Sequence, residues 1–269
     1  MKSITIKYRP VFWFPAYRTV TGNFPQNWGE IGADQLLAIV SLGRSRISEH
    51  QFLSSLSGIK TRILKRMDEY QIFKLSELLE FISDRNPHHE FIIRKLSVSH
   101  HLLLYAPSPK LKGVTFGQFI FADTYFANYQ ESQKEEDLNK FIASLYLGQN
   151  EKFEERLIQQ RFESIGKLDL NMRQAIVLNY QLIHEWLALA YPLIFQKQEQ
   201  VINKIDRHPE LVSGSVQNSQ SSTNSWIKIF QNFVGDDILH DDQWAAKPVN
   251  TIFAYMTRKY KENARKGPS

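Results

Sequence analysis

Residues 115–126, Thr115-Phe116-Gly117-Gln118-Phe119-Ile120-Phe121-Ala122-Asp123-Thr124-Tyr125-Phe126, constrain the fold more than any other stretch of the chain. With Leu138, Phe141, Ile142, Leu145 and Tyr146 beyond a polar, acidic connection over 130–137, they hold the densest apolar content of the middle of the sequence. Thr115 with Gln118 three residues on reads as a capping box, which starts a helix at Phe116. On that helix Phe116, Phe119, Ile120 and Phe126 share one face, and Phe121, Tyr125 and Tyr129 form a second stripe. A helix aromatic on two faces must be covered on both. The segment is therefore expected to be a structural hub between neighbouring helices, with its aromatics in the core.

The first 25 residues differ in kind from everything after them. Ile4 and Ile6 alternate with polar neighbours, and β-branched and aromatic residues recur between Pro10, Pro15 and Gly22, which predicts a short β-ribbon over 1–25 docked on a helical body. Helical spacing then takes over. Leu36, Leu37, Ile39, Val40 and Leu42 run up to Gly43, and Ser48 caps a second helix with Phe52, Leu53 and Leu56 inward. Residues 60–70 read as a basic amphipathic segment and 73–82 continues with Leu75, Leu78, Leu79, Phe81 and Ile82, in a run of short helices with short connections. The β-prone runs Phe91-Ile92-Ile93, Leu96, Val98 and 102–105 leave room for a second small hairpin near 91–105.

Further on, 151–161 reads as a charged connection, and Asp169 or Asn171 caps a long helix that ends before Pro192. The Ser/Asn/Gln-rich run 203–225 has linker composition, and His208-Pro209-Glu210-Leu211-Val212-Ser213-Gly214-Ser215 resembles a translated interspersed repeat inserted between helices. Ser225 is placed to cap another helix containing Trp226, and Pro248 fits the first turn of a final one with Val249, Ile252, Phe253 and Met256 inward. The expected fold is mainly α: a multi-helix bundle with a short N-terminal β-hairpin. Its expected parts are the ribbon at 1–25, a helical domain at 26–202, the inserted linker at 203–225 and a C-terminal helical hairpin at 226–269.

Composition removes several chemistries. The absence of cysteine excludes disulfides, thiolate metal sites and cysteine nucleophiles. None of the 12 glycines builds a nucleotide-binding turn, and no Gly-x-Ser-x-Gly elbow or strand-helix alternation occurs. No cofactor is therefore expected, and no catalytic residue is assigned. No apolar run reaches the roughly 18 residues of a membrane span, and the opening 1–7 alternates polar and apolar residues unlike a signal peptide. A cytoplasmic product with no membrane partner is the expectation. Metal sites would have to use His88 or His100, each from an adjacent histidine pair that diverges on any regular backbone, or the acidic run Asp236-Asp237-Ile238-Leu239-His240-Asp241-Asp242, which lacks the turn glycine and final glutamate of an EF-hand. That run reads as a solvated connection with an aspartate cap. His184-Glu185 lacks the second histidine at spacing four that a zincin helix needs.

The chain carries 33 basic against 28 acidic residues, a mild net charge of +5. Two patches concentrate the cations: Arg62, Lys65 and Arg66 with Lys60, and Arg258, Lys259 and Lys261 near the C-terminal end of the last helix, where they also complement the helix dipole. These are the candidate contacts for nucleic acid or an acidic partner. No aromatic residue interleaves with the first patch in the sequence, so a solvated helix face is the reading favoured for it.

Trp28-Gly29-Glu30-Ile31 with Gln35-Leu36-Leu37, the unit 111–146 with Thr115-Phe116-Gly117-Gln118-Phe119 and Leu145-Tyr146, and Tyr191-Pro192-Leu193-Ile194-Phe195 resemble an uncharacterised family encoded among tail and morphogenesis genes of prophage-like regions. The resemblance implies a non-enzymatic assembly or scaffolding protein, in a role like that of a tail-assembly chaperone, whose partners are other phage structural or assembly proteins. A basic nucleic-acid-binding accessory factor and a His/Asp metal-dependent enzyme are the alternatives.

Overall fold

The structure is a computed structural model and describes residues 1–10, 16–84, 86–195, 226 and 241–266. The prolines' effect on residues 11–15, the linker at 203–225, the helix around Trp226 and the acidic residues 236–240 lie outside the described residues. The fold is mainly α with two small antiparallel hairpins, as the hydrophobic patterning predicts. It divides into two compact units: residues 1–88 with 170–185, and residues 89–169 with 186–269.

In the first unit, strands β1 (Lys2–Tyr8) and β2 (Arg18–Phe24) pair antiparallel, with Ile4 opposite Gly22 and Ile6 opposite Val20. One face turns Ile4, Ile6 and Val20 inward while Ser3, Thr5 and Lys7 face solvent, the period-2 alternation read from the sequence. Gly22 lets the hairpin approach Ile59 closely: a β-carbon there would sit 2.7 Å from the Ile59 side chain. Helices α1 (Ala33–Gly43) and α2 (Glu49–Ser57) follow, α2 capped by Ser48, whose hydroxyl accepts from the Gln51 amide, and closed by left-handed Gly58. Phe24, Leu36, Leu53, Leu56, Ile59 and Leu64 form a core that solvent scarcely reaches.

The basic segment at 60–70 is not one helix. A single turn, α3 (Thr61–Leu64), ends at Lys65, and α4 (Glu69–Glu77) starts afresh from Asp68. The reason is local. The Asp68 carboxylate accepts from the Gln71 amide at 2.8 Å and Gln71 Oε1 accepts from the Asp68 amide at 3.3 Å, a capping box that begins a new helix. A short 3-10 turn at Glu80–Ile82 succeeds it, and Phe81 meets Trp28 edge-on at 5.9 Å. The long helix α8 (Leu170–Ala190) gives its residues through Glu185 to this unit, where Asn171 Nδ2 donates to Ser41 and the His88 amide donates to the Leu182 carbonyl.

The second unit is built on α5 (Phe116–Ser132) and α6 (Glu135–Leu145), which pack along each other, with α7 (Glu155–Gly166) against α6. Two boundaries differ from expectation. The connection at 130–137 shrinks to Gln133 and Lys134, because α5 continues to Ser132 and Gln133 takes the left-handed cap conformation that closes it. The charged connection at 151–161 is instead mostly α7, whose Leu157, Ile158, Arg161 and Ile165 are buried at helical spacing among exposed glutamates. Strands β3 (Lys95–Ser99) and β4 (Leu102–Tyr105) form the second hairpin with an irregularity between Ser97 and Ser99. Phe91 and Ile93 belong to no strand; both are buried, and the Tyr146 hydroxyl donates to the Ile93 carbonyl at 2.7 Å. Burial pushes the Tyr146 phenol's pKa far up, so it remains a donor.

Phe116, Phe119 and Phe126 of the hub are buried as expected, with one change of bonding. Thr115 Oγ1 accepts from the Gln118 amide at 3.2 Å, so the cap exists, but the Gln118 side chain does not return to close a box. It is buried, and its Nε2 donates to the carbonyls of Ser144 at 3.0 Å and Leu145 at 3.3 Å. Those are carbonyls of the last turn of α6, which have no partner within their own helix. Phe119 meets Trp226 at 5.2 Å and Phe253 at 5.1 Å, both edge-to-face, and the Trp226 indole donates to Asp123 at 2.6 Å. Phe253 belongs to α10 (Val249–Lys266), which follows the short α9 (Asp241–Ala245). Its start is tied to that of α5: the Phe116 amide donates to the Lys247 carbonyl and the Val249 amide to the Val114 carbonyl. Phe121 and Tyr125 of the second stripe stay half-buried, and Tyr129 is buried.

Candidate functional site

Each unit has a cleft of appreciable size, and their chemistries differ. The cleft of the second unit, about 550 Å³, is bordered by Phe121, Phe153, Glu151, Glu154 and Glu155. Two of its carboxylates are spoken for. Glu151 pairs with the buried Arg161 and accepts the Gly148 amide at 2.7 Å, while Glu154 pairs with Arg156 at 2.5 Å. Burial alone would raise the Glu151 pKa, yet the Arg161 guanidinium and the Gly148 amide hold it below the ordinary carboxylate value. This arrangement anchors the loop at Gly148 to α7.

The cleft of the first unit, about 600 Å³, is lined by Lys7, Tyr8, Arg9, Pro10, Tyr17, Arg66, Asp68 and Gln71. It is assembled from three places in the chain. The end of β1 supplies Lys7 and Tyr8, with Arg9 and Pro10 just beyond it. Tyr17 comes from immediately before β2. The turn between α3 and α4 supplies Arg66 and Asp68, and the first turn of α4 supplies Gln71. Gln71 joins the parts: its Oε1 closes the capping box of α4 while its Nε2 donates to the Lys7 carbonyl at 3.0 Å. The break in the basic segment at Asp68 is therefore what carries Arg66 to the hairpin.

Charge and exposure set what this cleft can hold. Lys7, Arg9 and Arg66 are exposed, and none of the three is in an ion pair among the described residues. Among the described residues Asp68 is the one carboxylate in the lining, and it is already engaged by the Gln71 amide. The Arg9 guanidinium lies 5.1 Å from the centre of the Tyr17 ring, a cation–π geometry, and Tyr17 remains 58% exposed. Three cations around an open cavity with aromatic walls are chemically suited to an anion, with a flat ring beside them.

The residues singled out from sequence are distributed differently from the patches they seemed to form. Of Arg62, Lys65 and Arg66, all exposed, Arg66 alone lines the cleft. Tyr8 and Tyr17 line the same cleft as Arg66, supplied by the ribbon rather than by the basic segment. Arg258, Lys259 and Lys261 belong to the other unit. There Glu262 faces Arg258 at 3.8 Å and Lys259 at 4.0 Å, and both cations lie over Tyr255. His100 and His101 are exposed, and among the described residues no three His, Asp or Glu side chains are grouped to hold a metal ion. Also among the described residues, no helix is long and apolar enough to cross a membrane.

Lys7, Arg9 and Tyr17 escaped sequence reasoning because the ribbon reads as a packing element. The available signal was the string Lys7-Tyr8-Arg9 with Tyr17-Arg18, where cations and aromatics alternate at the ends of two paired strands. Compared with models of protein families, with curated proteins and with solved structures, the chain matches none.

Proposed function

We propose that this chain is a non-catalytic binding protein that docks an anionic partner in the cleft of its N-terminal unit, in the setting of phage or prophage assembly. The observation that carries the reading is the convergence of Lys7, Arg9 and Arg66, without ion-pair partners among the described residues, around a cavity walled by Tyr8 and Tyr17. Keeping three like charges together costs repulsion that an anionic partner relieves. The assembly setting rests on the resemblance of the segments around Trp28, Thr115 and Tyr191 to a prophage morphogenesis family, and makes phage structural or assembly proteins and the nucleic acid they handle the natural partners.

Salt-dependent retention on immobilised heparin, a generic polyanion, checks the cleft. The double variant Arg9→Ala/Arg66→Ala is expected to elute at clearly lower salt than the parent, whereas Arg258→Ala/Lys261→Ala shifts elution less. Equal elution of the parent and the cleft variant would remove the reading.

A further inference from the structure

Resting on the cleft as an anion-accepting surface, we infer that its occupant is single-stranded nucleic acid, with phosphates on Lys7, Arg9 and Arg66 and a base stacked on Tyr17. The argument turns on the exposed rings. Tyr17 is 58% exposed, and the other largely exposed aromatic side chains among the described residues, Tyr70 at 69% and Phe73 at 58%, belong to the same unit. Both stand on α4, the helix whose capping residue Asp68 borders the cleft, and Lys74 Nζ lies 5.8 Å from the Tyr70 ring and 5.9 Å from the Phe73 ring. Lys74 is itself held by Glu77 at 2.8 Å, so α4 adds open rings to the unit that carries the cleft's cations, and cations with open aromatic faces are the combination by which single strands are held without sequence preference.

An acidic peptide would be satisfied by the cations alone, whereas a nucleotide uses the cations and an exposed ring together. Duplex recognition calls for a helix or β-ribbon set into a groove. Here the elements beside Arg66 are the four-residue α3 and the N-terminal end of α4, and the ribbon contributes its end to a concave wall. A cavity of about 600 Å³ suits an unstacked nucleotide rather than a stacked duplex. The carboxylate of Asp68 opposes a phosphate placed beside it, so the backbone is assigned to Lys7, Arg9 and Arg66.

Fluorescence anisotropy with labelled oligothymidylate, a labelled hairpin duplex of equal charge and labelled heparin tests this on the full chain. Oligothymidylate is expected to bind more tightly than the duplex. Tyr17→Ala should weaken it by about 5- to 150-fold, the worth of one stacked base. Tyr17→Phe should restore the affinity, and heparin binding should change less than about twofold in either variant. Arg66→Ala should weaken both ligands and reduce the salt slope for oligothymidylate by about 0.7. Because Tyr17 is exposed, its variants keep the parent's circular dichroism and melting, which are recorded alongside. Unchanged oligothymidylate affinity in Tyr17→Ala, or tighter binding of the duplex, overturns single-strand recognition while a heparin loss in Arg66→Ala leaves the anion cleft standing. If no polyanion responds to Arg9→Ala/Arg66→Ala, both readings fall.

Discussion

Phe119→Ala is expected to lower the unfolding free energy by about 3–5 kcal/mol, read from the midpoint of a urea or guanidinium transition with unchanged slope. Phe119 is 1% exposed and meets Trp226 and Phe253 edge-to-face at 5.2 and 5.1 Å. Those two rings do not close the gap by moving together. Trp226 is held by its indole hydrogen bond to Asp123, and Phe253 is also in contact with Tyr191 at 5.1 Å and Phe195 at 5.3 Å. Each partner has its own reasons to stay, so the cavity persists and adds to the lost transfer energy. A loss below about 1 kcal/mol would show that the aromatic cluster is not packed as described.

Gln118→Leu is the second large effect, at about 2–4 kcal/mol. The replacement fits the volume and suits a helix, so propensity predicts little change. The cost arises elsewhere: the carbonyls of Ser144 and Leu145 lose the buried amide that donates to both, and each unsatisfied buried acceptor costs about 1–3 kcal/mol. Gln118→Ala should be no milder, since it adds a cavity to the same loss. Chemical denaturation of the pair measures it; a leucine variant as stable as the parent would mean that water or another group already satisfies the last turn of α6.

Gln118 also shows where reading a sequence stops. Thr115 with Gln118 has the spacing of a capping box, and spacing alone cannot tell whether the glutamine returns to its own cap or reaches another helix. The hub was legible because Phe116, Phe119 and Phe126 repeat at helical spacing, and the first hairpin because Ile4 and Ile6 alternate; periodicity is local information. The failures were matters of competition. Residues 60–70 have continuous helical character, yet the Asp68–Gln71 box is stronger than the continuation and restarts the helix. Residues 151–161 looked like a connection because their charges outnumber their apolar positions, although Leu157, Ile158 and Ile165 keep a buried stripe. Of the candidate site, Arg66 could be named in advance. Its partners Lys7, Arg9 and Tyr17 lie about 50 to 60 residues away in the chain, and the Gln71 bond to the Lys7 carbonyl helps to bring them together.

The central claim is that this molecule meets an anionic partner at the cleft between its N-terminal hairpin and the turn before α4. Lysine acetylation footprinting, with and without saturating heparin, tests it most directly. Lys7 lines the cleft and is exposed in the free protein, whereas Lys259 and Lys261 belong to α10 of the other unit. The account predicts that heparin slows acetylation of Lys7 by severalfold and leaves Lys259 and Lys261 near their free rates. Protection of Lys259 and Lys261 with Lys7 unchanged would contradict it.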